Sequence, residues 1–282
     1  MIIVLYINDS QTEYNEHGTI ITIGNFDGFH KGHQKLIAAV NENKKNIGAK
    51  SLLLSFYPRP ISVLKGIEIK SIFVKEERIE LAESLDIDIL VEYPFTKEFA
   101  ILNGYEFVNL LKNKYNCKQI IVGEDFAFGK DRACDARSLA KIANDMSSAV
   151  TINPHEQSNG HKISSTNVRK YLECGNVYEA NLLMGHDYFI QAKAEQGKVE
   201  TDDPRIQAAC IMPPKDKILP KCGSYITHMT LPNGSSTPSI TKIVNHNAFG
   251  ESNTTVETYV QDFSESIYNT KIKIDFKKII AE

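Results

Sequence analysis

The chain has no tryptophan, so its aromatic volume rests on 12 Tyr and 13 Phe. It has only five cysteines, Cys117, Cys134, Cys174, Cys210 and Cys222, and no two stand as CxxC. That spacing fits neither a zinc ribbon nor a dense disulfide framework, so free thiols in a reducing, cytoplasmic setting are expected. No apolar run is long enough to cross a bilayer. Met1 to Tyr6 is apolar but short, and it lacks the basic start of a signal peptide, so it reads as an opening strand. Neither charge dominates: 32 Lys and Arg against 35 Asp and Glu leave a net of -3. Long-range attraction to nucleic acid or an anionic membrane is therefore not expected, although a local cationic pocket for phosphates remains open.

What is present is an ordinary globular composition, 42% hydrophobic and 24% charged over 282 residues, enough for one large domain or two. Up to about residue 152 the chain alternates strand-like and helix-like stretches. Thr19–Ile23 is β-rich and ends at Gly24, and His33–Val40 then has helical spacing, with Leu36, Ile37 and Val40 on one side. Ser51–Phe56 reads as a buried strand, stopped by Tyr57-Pro58-Arg59-Pro60. Helices are expected at Lys75–Leu85, Glu98–Leu111 and Ser138–Met146, and strands at Ile87–Val91, Gln119–Val122 and Ala149–Ile152. Such alternation predicts an α/β fold, a parallel sheet with helices on both faces and ligands beyond the carboxyl ends of its strands. After Ile190 helical spacing fades. Pro- and Gly-rich turns then separate strand-like runs at Tyr225–Leu231, Val256–Phe263 and Ile272–Phe276, with a hairpin signal at Asn233-Gly234. This predicts a second, smaller, β-rich domain, with the division set at 1–188 and 189–282.

The most informative segment is Gly24-Asn25-Phe26-Asp27-Gly28-Phe29-His30-Lys31-Gly32-His33. A compact glycine-bearing loop between strand and helix lets backbone N–H groups converge on a phosphate, and the helix adds its positive end. His30 and His33, three apart, share a face at the helix start and can donate to phosphate oxygens. Asp27 either structures the loop or sits near a metal. Two histidines alone are too few for a resident metal site. The segment is neither GxxxxGK[ST] nor GxGxxG.

Further along, Ser164, Ser165 and Thr166 precede a helical stretch at Asn167–Leu172, which they can cap while offering hydroxyls to phosphate. Arg169 in that stretch can neutralise phosphate charge. On spacing alone a plain cap with a solvated arginine fits equally well. Asp125, Phe126 and Phe128 follow a strand and could line a pocket for a flat ligand, although such rings are more often core packing.

The Ile23–Gln34 stretch resembles the HxGH signature of nucleotidylyltransferases, in the form carried by bacterial bifunctional riboflavin kinase/FAD synthetases. Three more stretches resemble that family in order: Phe56-Tyr57-Pro58-Arg59-Pro60, Val122-Gly123-Glu124-Asp125-Phe126-Ala127-Phe128-Gly129, and Ile163-Ser164-Ser165-Thr166-Asn167-Val168-Arg169. The resemblance implies a Rossmann-like FMN adenylyltransferase domain followed by a smaller β-barrel-like domain. ATP, FMN and Mg2+ are the implied ligands and FAD the product. Catalytic roles fall to His30, His33 and Arg169. ATP binding falls to Gly24, Phe26, Asp27, Gly28, Arg59, Ser164, Ser165 and Thr166, and flavin binding to Asp125, Phe126 and Phe128. Arg59 stands where the family usually has histidine, a longer and permanently charged replacement.

The second domain departs further. Gly197-Lys198-Val199-Glu200-Thr201-Asp202-Asp203-Pro204-Arg205 occupies the place of the family's ATP loop, and the chain contains no Pro-Thr-Ala-Asn run. Lys221-Cys222-Gly223-Ser224-Tyr225 and Val256–Phe263 still resemble the kinase pattern, and Glu257 matches its base. A base without a Mg-ATP cradle cannot phosphorylate, so Glu257 is expected to be vestigial and the kinase degenerate. Three alternatives stay open: a full kinase/synthetase, transfer of an adenylyl or cytidylyl group to another phosphorylated small molecule, and a non-catalytic flavin- or nucleotide-binding regulator.

Overall fold

The computed structural model describes residues 5–8, 17–154, 157–158, 161–196, 203, 205–248, 251–263 and 265–280. The chain forms two compact units, the first from Met1–Ile69 and Arg78–His161, the second from Lys70–Glu77 and Lys162–Glu282.

The first unit opens with β1 (Leu5–Asn8), β2 (Thr19–Ile23), α1 (Lys31–Ile47), β3 (Lys50–Phe56) and α2 (Pro60–Lys65). Helix α3 (Lys75–Ser84) starts in the second unit and continues in the first. Then come β4 (Ile89–Tyr93), α4 (Lys97–Ala100), α5 (Gly104–Tyr115), β5 (Cys117–Gly123), β6 (Ala127–Phe128), β7 (Cys134–Asp135), α6 (Ala136–Asp145) and β8 (Ala149–Asn153). Six strands pair in parallel in the order β1-β4-β3-β2-β5-β8. All five residues of β2 are buried, as a central strand covered on both faces requires. Its alternate side chains divide between two cores. Ile21 and Ile23 pack with Leu52, Leu54, Phe107, Leu111 and Leu139, towards α5 and α6. Ile20 packs with Val40 and Ala49, towards α1. From β2 the chain builds outward through β3 to β4, then returns to the other side of β2 for β5 and β8. The sheet therefore switches direction between β2 and β5, where α/β sheets open a crevice at their carboxyl ends.

The stretch Glu98–Leu111, read from periodicity as one helix, is two. Thr96 caps α4 by accepting from the Phe99 N–H, 3.1 Å, and α4 ends at Ile101. Asn103 and Glu106 then form a reciprocal capping box that starts α5 afresh. Helix α2 went unread because its first residue is a proline, which fits the first turn of a helix as well as it stops a strand.

After the short pair β9 (Gln157–Ser158) and β10 (His161–Lys162), the second unit holds α7 (Ser165–Glu173) and α8 (Val177–Met184). It continues with β11 (Tyr188–Gln196), β12 (Ile206–Ile211), β13 (Gly223–Thr230), β14 (Ser236–Ala248), β15 (Glu251–Gln261) and β16 (Lys271–Ile279). These six strands close into an antiparallel barrel in the order β11-β12-β15-β14-β13-β16. Tyr225, Thr227 and Met229 alternate inward on β13, and Val256, Thr258 and Val260 do so on β15. Inside the barrel a ladder of hydroxyls satisfies itself: Thr227 Oγ1 lies 2.7 Å from Ser239 Oγ and 2.8 Å from Thr241 Oγ1, which donates to Thr258 Oγ1 at 3.1 Å. The β13–β14 hairpin forms where Asn233-Gly234 signalled it, with Pro232 and Asn233 at the corner. The Gly234 N–H donates to the Leu231 carbonyl at 2.9 Å, and Gly234 takes the left-handed conformation, φ +88°. Of the Gly197–Arg205 stretch, only Asp203 and Arg205 fall within the described residues. Among the described residues no helix is long and apolar enough to cross a membrane.

Candidate active site

Strand β2 ends at Ile23, and the Gly24 N–H donates to the Leu54 carbonyl, 3.1 Å, which ties the loop's first residue to β3. The loop then turns through three left-handed residues, Phe26 (φ 43°), Gly28 (φ 89°) and Phe29 (φ 43°). That region suits glycine but strains a phenylalanine. Both phenylalanines are fully buried, so core packing holds them there. The reversal places His30 at the N-cap of α1, where its Nδ1 accepts from the His33 N–H at 3.3 Å. An accepting Nδ1 carries no proton, so the His30 proton sits on Nε2.

The His30 and His33 rings stack 3.6 Å apart, 13° from parallel, and the Phe26 ring lies 4.8 Å from His33. Burial holds the His33 imidazole well below its ordinary pKa, and His30 and Arg78 push the same way. The His33 Nδ1 is buried without a hydrogen-bond partner among the described residues. The first turn of α1 carries no acidic residue, so nothing there offsets the positive end of the helix. The arrangement is two closely packed imidazoles at a helix start, beside a backbone turn, at the carboxyl end of a central strand. It suits a phosphate-bearing ligand.

Asp27 and Arg59 are brought together. Arg59 Nη1 lies 2.9 Å from Asp27 Oδ2, and Asp27 is buried. Asp27 thus structures the loop through an ion pair with the segment after β3. Beneath the same loop lies a chain that sequence reading missed. Ser55 Oγ donates to the Asn25 carbonyl, 3.1 Å, and accepts from Arg78 Nη2, 2.7 Å, while Arg78 Nη1 pairs with Glu92. On paper Arg78 belongs to the charged run Lys75-Glu76-Glu77-Arg78 and reads as a solvated helix face, so no local signal marks it.

The stretch after β5 places Asp125, Phe126 and Phe128 at the same end of the sheet. Asp125 is exposed, and its carbonyl accepts from Arg132 Nη2 at 3.3 Å. Phe126 and Phe128 stack at 5.7 Å, and Phe128 meets Phe107 at 4.7 Å. They extend a partly buried run of rings through Phe99 to Phe56, Phe95 and Tyr93. The rings are therefore core-packed at their inner edge. Phe56 and Tyr93, the last residues of β3 and β4, were not foreseen as part of this cluster.

In the second unit, Ser164 caps α7 by accepting from the Asn167 N–H, 3.3 Å. Ser165 opens the helix and Thr166 is exposed in its first turn. Arg169 donates from Nε to the Lys70 carbonyl, 3.4 Å. Burial draws its guanidinium down to about 10, with Glu173 opposing, which leaves it charged at neutral pH. On β15, Glu257 alternates outward from the barrel interior and accepts from the Tyr259 hydroxyl, 2.8 Å. Among the described residues no three His, Cys, Asp or Glu side chains converge as a metal site.

Two family profiles match the chain, FAD synthetase over residues 12–167 and riboflavin kinase over 184–282. An FAD synthetase of Listeria monocytogenes is 31% identical over 228 residues, 80% of this chain and 87% of that protein. A bifunctional riboflavin kinase/FMN adenylyltransferase of the same organism is 28% identical over 265 residues, 93% of this chain and 84% of that protein. A solved structure described as a macrolide-efflux protein from Streptococcus pneumoniae has a TM-score of 0.88, covering 99% of this chain and 91% of that one. At 23% identity that likeness is one of fold.

Proposed function

The chain belongs to the bacterial bifunctional riboflavin kinase/FMN adenylyltransferase (FAD synthetase) family, and on that premise we propose that it transfers the adenylyl group of ATP to FMN, giving FAD and pyrophosphate. The observation that carries this reading is the stacked His30–His33 pair at the start of α1, 3.6 Å between rings, at the sheet's switch point.

The FMN phosphate is already an anion, so its oxygen attacks the α-phosphorus of ATP without a protein nucleophile. One P–O bond forms as the bond to the β-phosphate oxygen breaks. The protein's work is alignment and charge stabilisation. His30, with its proton on Nε2, and His33 donate to ATP phosphate oxygens. The Gly24–Gly28 turn, including Phe26, shapes the backbone around them, and the Asp27–Arg59 pair fixes that turn. Ser164, Ser165, Thr166 and Arg169 are assigned to the leaving pyrophosphate, Arg169 as the permanent charge. Asp125, Phe126 and Phe128 line the flavin side. Mg2+ would be supplied with ATP and held mainly by its phosphates, where it would offset their charge. The reaction draws on cytoplasmic ATP and FMN, which is where we place the protein.

The catalytic division falls at 188/189, with a barrel that no longer phosphorylates riboflavin. Two features support that second part. The sequence lacks a Pro-Thr-Ala-Asn run, and the Glu257 carboxylate is engaged by the Tyr259 hydroxyl. The test is chromatography of products from Mg-ATP with FMN and, separately, with riboflavin. FAD from FMN with riboflavin untouched is the expected outcome. FMN or FAD from riboflavin overturns the reading of the barrel, and no product from FMN overturns the adenylyltransferase reading.

A further inference from the structure

Burying a Glu–Arg pair contributes little net stability compared with apolar side chains of the same volume. Arg78 and Glu92 are nevertheless about one-tenth exposed, side chain against side chain. Arg78 donates to both of its neighbours. Glu92 on β4 holds one nitrogen of the Arg78 guanidinium, and the other nitrogen donates to Ser55 Oγ on β3, 2.7 Å. Ser55 thus accepts from Arg78, and its hydroxyl donates to the Asn25 carbonyl, 3.1 Å. Asn25 immediately precedes Phe26, the first left-handed residue of the loop, whose ring packs on His33.

We propose that Glu92, Arg78 and Ser55 are positioning residues of the adenylyl-transfer site: a buried relay that clamps the Asn25 carbonyl and fixes the Phe26 turn. The proposal rests on the adenylyltransferase reading and adds to it residues that act through the Asn25 backbone. Arg78 acts twice. Through Ser55 it fixes backbone geometry, and through its field it joins burial and the neighbouring His30 in keeping the His33 imidazole neutral. A neutral imidazole can donate one hydrogen bond to a phosphate oxygen without drawing a proton from solvent first.

The experiment compares wild type with Ser55→Ala, Arg78→Lys and Arg78→Met by initial rates of FAD formation from FMN and Mg-ATP. The histidines carry 13C at Cε1, and the His33 resonance is identified by its loss in His33→Asn. In Ser55→Ala, the mildest change, kcat falls about tenfold or more while KM for ATP moves less than about threefold, as expected when groups are misplaced rather than removed. Arg78→Met loses more, and Arg78→Lys, which keeps the charge, recovers part of it. The His33 titration midpoint rises in Arg78→Met and stays near wild type in Ser55→Ala, a split that mere loosening of the fold does not produce.

Wild-type kcat in folded Ser55→Ala and Arg78→Met overturns the relay and leaves the adenylyltransferase reading standing. Wild-type protein that makes no FAD from FMN sinks that reading instead. The relay is then judged on the titration alone, and an unmoved His33 midpoint in Arg78→Met rejects it.

Discussion

His33 links the chemistry of the loop to its acid stability. Its folded pKa is depressed by burial, by His30 and by Arg78, whereas in the unfolded chain it titrates near about 6.5. Below that value the unfolded state takes up a proton that the folded state refuses. The contribution of a neutral His33 is therefore complete above about pH 6.5 and is lost as pH falls towards the folded pKa. Replacing His33 with Asn is expected to flatten the acid side of the Tm–pH curve below about pH 6.5, with little change at pH 8. The same variant, and His30→Asn beside it, should lower the rate of FAD formation by about a hundredfold or more at pH 8, in line with removal of a transition-state donor. A flat Tm difference across pH would show that His33 titrates alike in the folded and unfolded chain and would overturn its depressed folded pKa. Arg59 gives a second residue-level expectation. Its guanidinium faces a buried Asp27, so Arg59→Met should destabilise the first unit by about 3 kcal/mol in urea denaturation, as when one partner of a buried pair is removed. Arg59→His, which keeps a nitrogen donor, should recover part of that loss.

The elements show where the sequence was legible and where it was not. The HxGH loop, the strands β2, β3 and β5 and the hairpin at Gly234 could be read because each signal is local: periodicity, a proline stop, an Asn-Gly pair. The Glu98–Leu111 stretch misled because Phe99, Leu102, Phe107 and Leu111 keep helical spacing across a break. The correcting signal was present in Asn103 and Glu106, three apart, the signature of a capping box. If that box starts α5, Asn103→Ala should cost about 1 kcal/mol of stability, read by chemical denaturation. Full stability would place the start of α5 elsewhere. The Ser55–Arg78–Glu92 chain had no such signal. Its members lie 23 and 14 positions apart, and only the parallel pairing of β3 with β4 brings Ser55 beside Glu92. The ring cluster of Phe56, Tyr93 and Phe95 was hidden for the same reason.

At the scale of the whole molecule, the expected break at residue 188 follows the order of motifs, whereas the compact units follow contacts, and the second unit includes Lys70–Glu77. That segment is built into it by more than apolar packing. Ser71 bridges to Lys217, with its N–H donating to the Asp216 carbonyl at 2.6 Å. Glu77 and Lys217, both with fully buried side chains, pair at 2.6 Å. The other Glu77 oxygen accepts from the Gln191 N–H at 2.9 Å, and Lys217 Nζ also donates to the Ile72 carbonyl at 3.0 Å. A fragment holding only residues 162–282 would leave Lys217 in an apolar setting, beside Phe73's former place and the Tyr188 ring, without its carboxylate. The expected result is that this fragment shows no cooperative unfolding transition. In the full chain, Glu77→Ala should destabilise the second unit by about 3–5 kcal/mol, the cost of stranding one buried charge. The double replacement Glu77→Leu with Lys217→Met removes both charges and should restore most of that loss, because a buried pair adds little over apolar packing. Differential scanning calorimetry of the three variants decides the matter. A double variant no more stable than Glu77→Ala would mean that the hydrogen bonds Glu77 accepts from the Gln191 N–H and from the Val74 N–H (3.0 Å), rather than its charge on Lys217, hold the segment in the barrel unit.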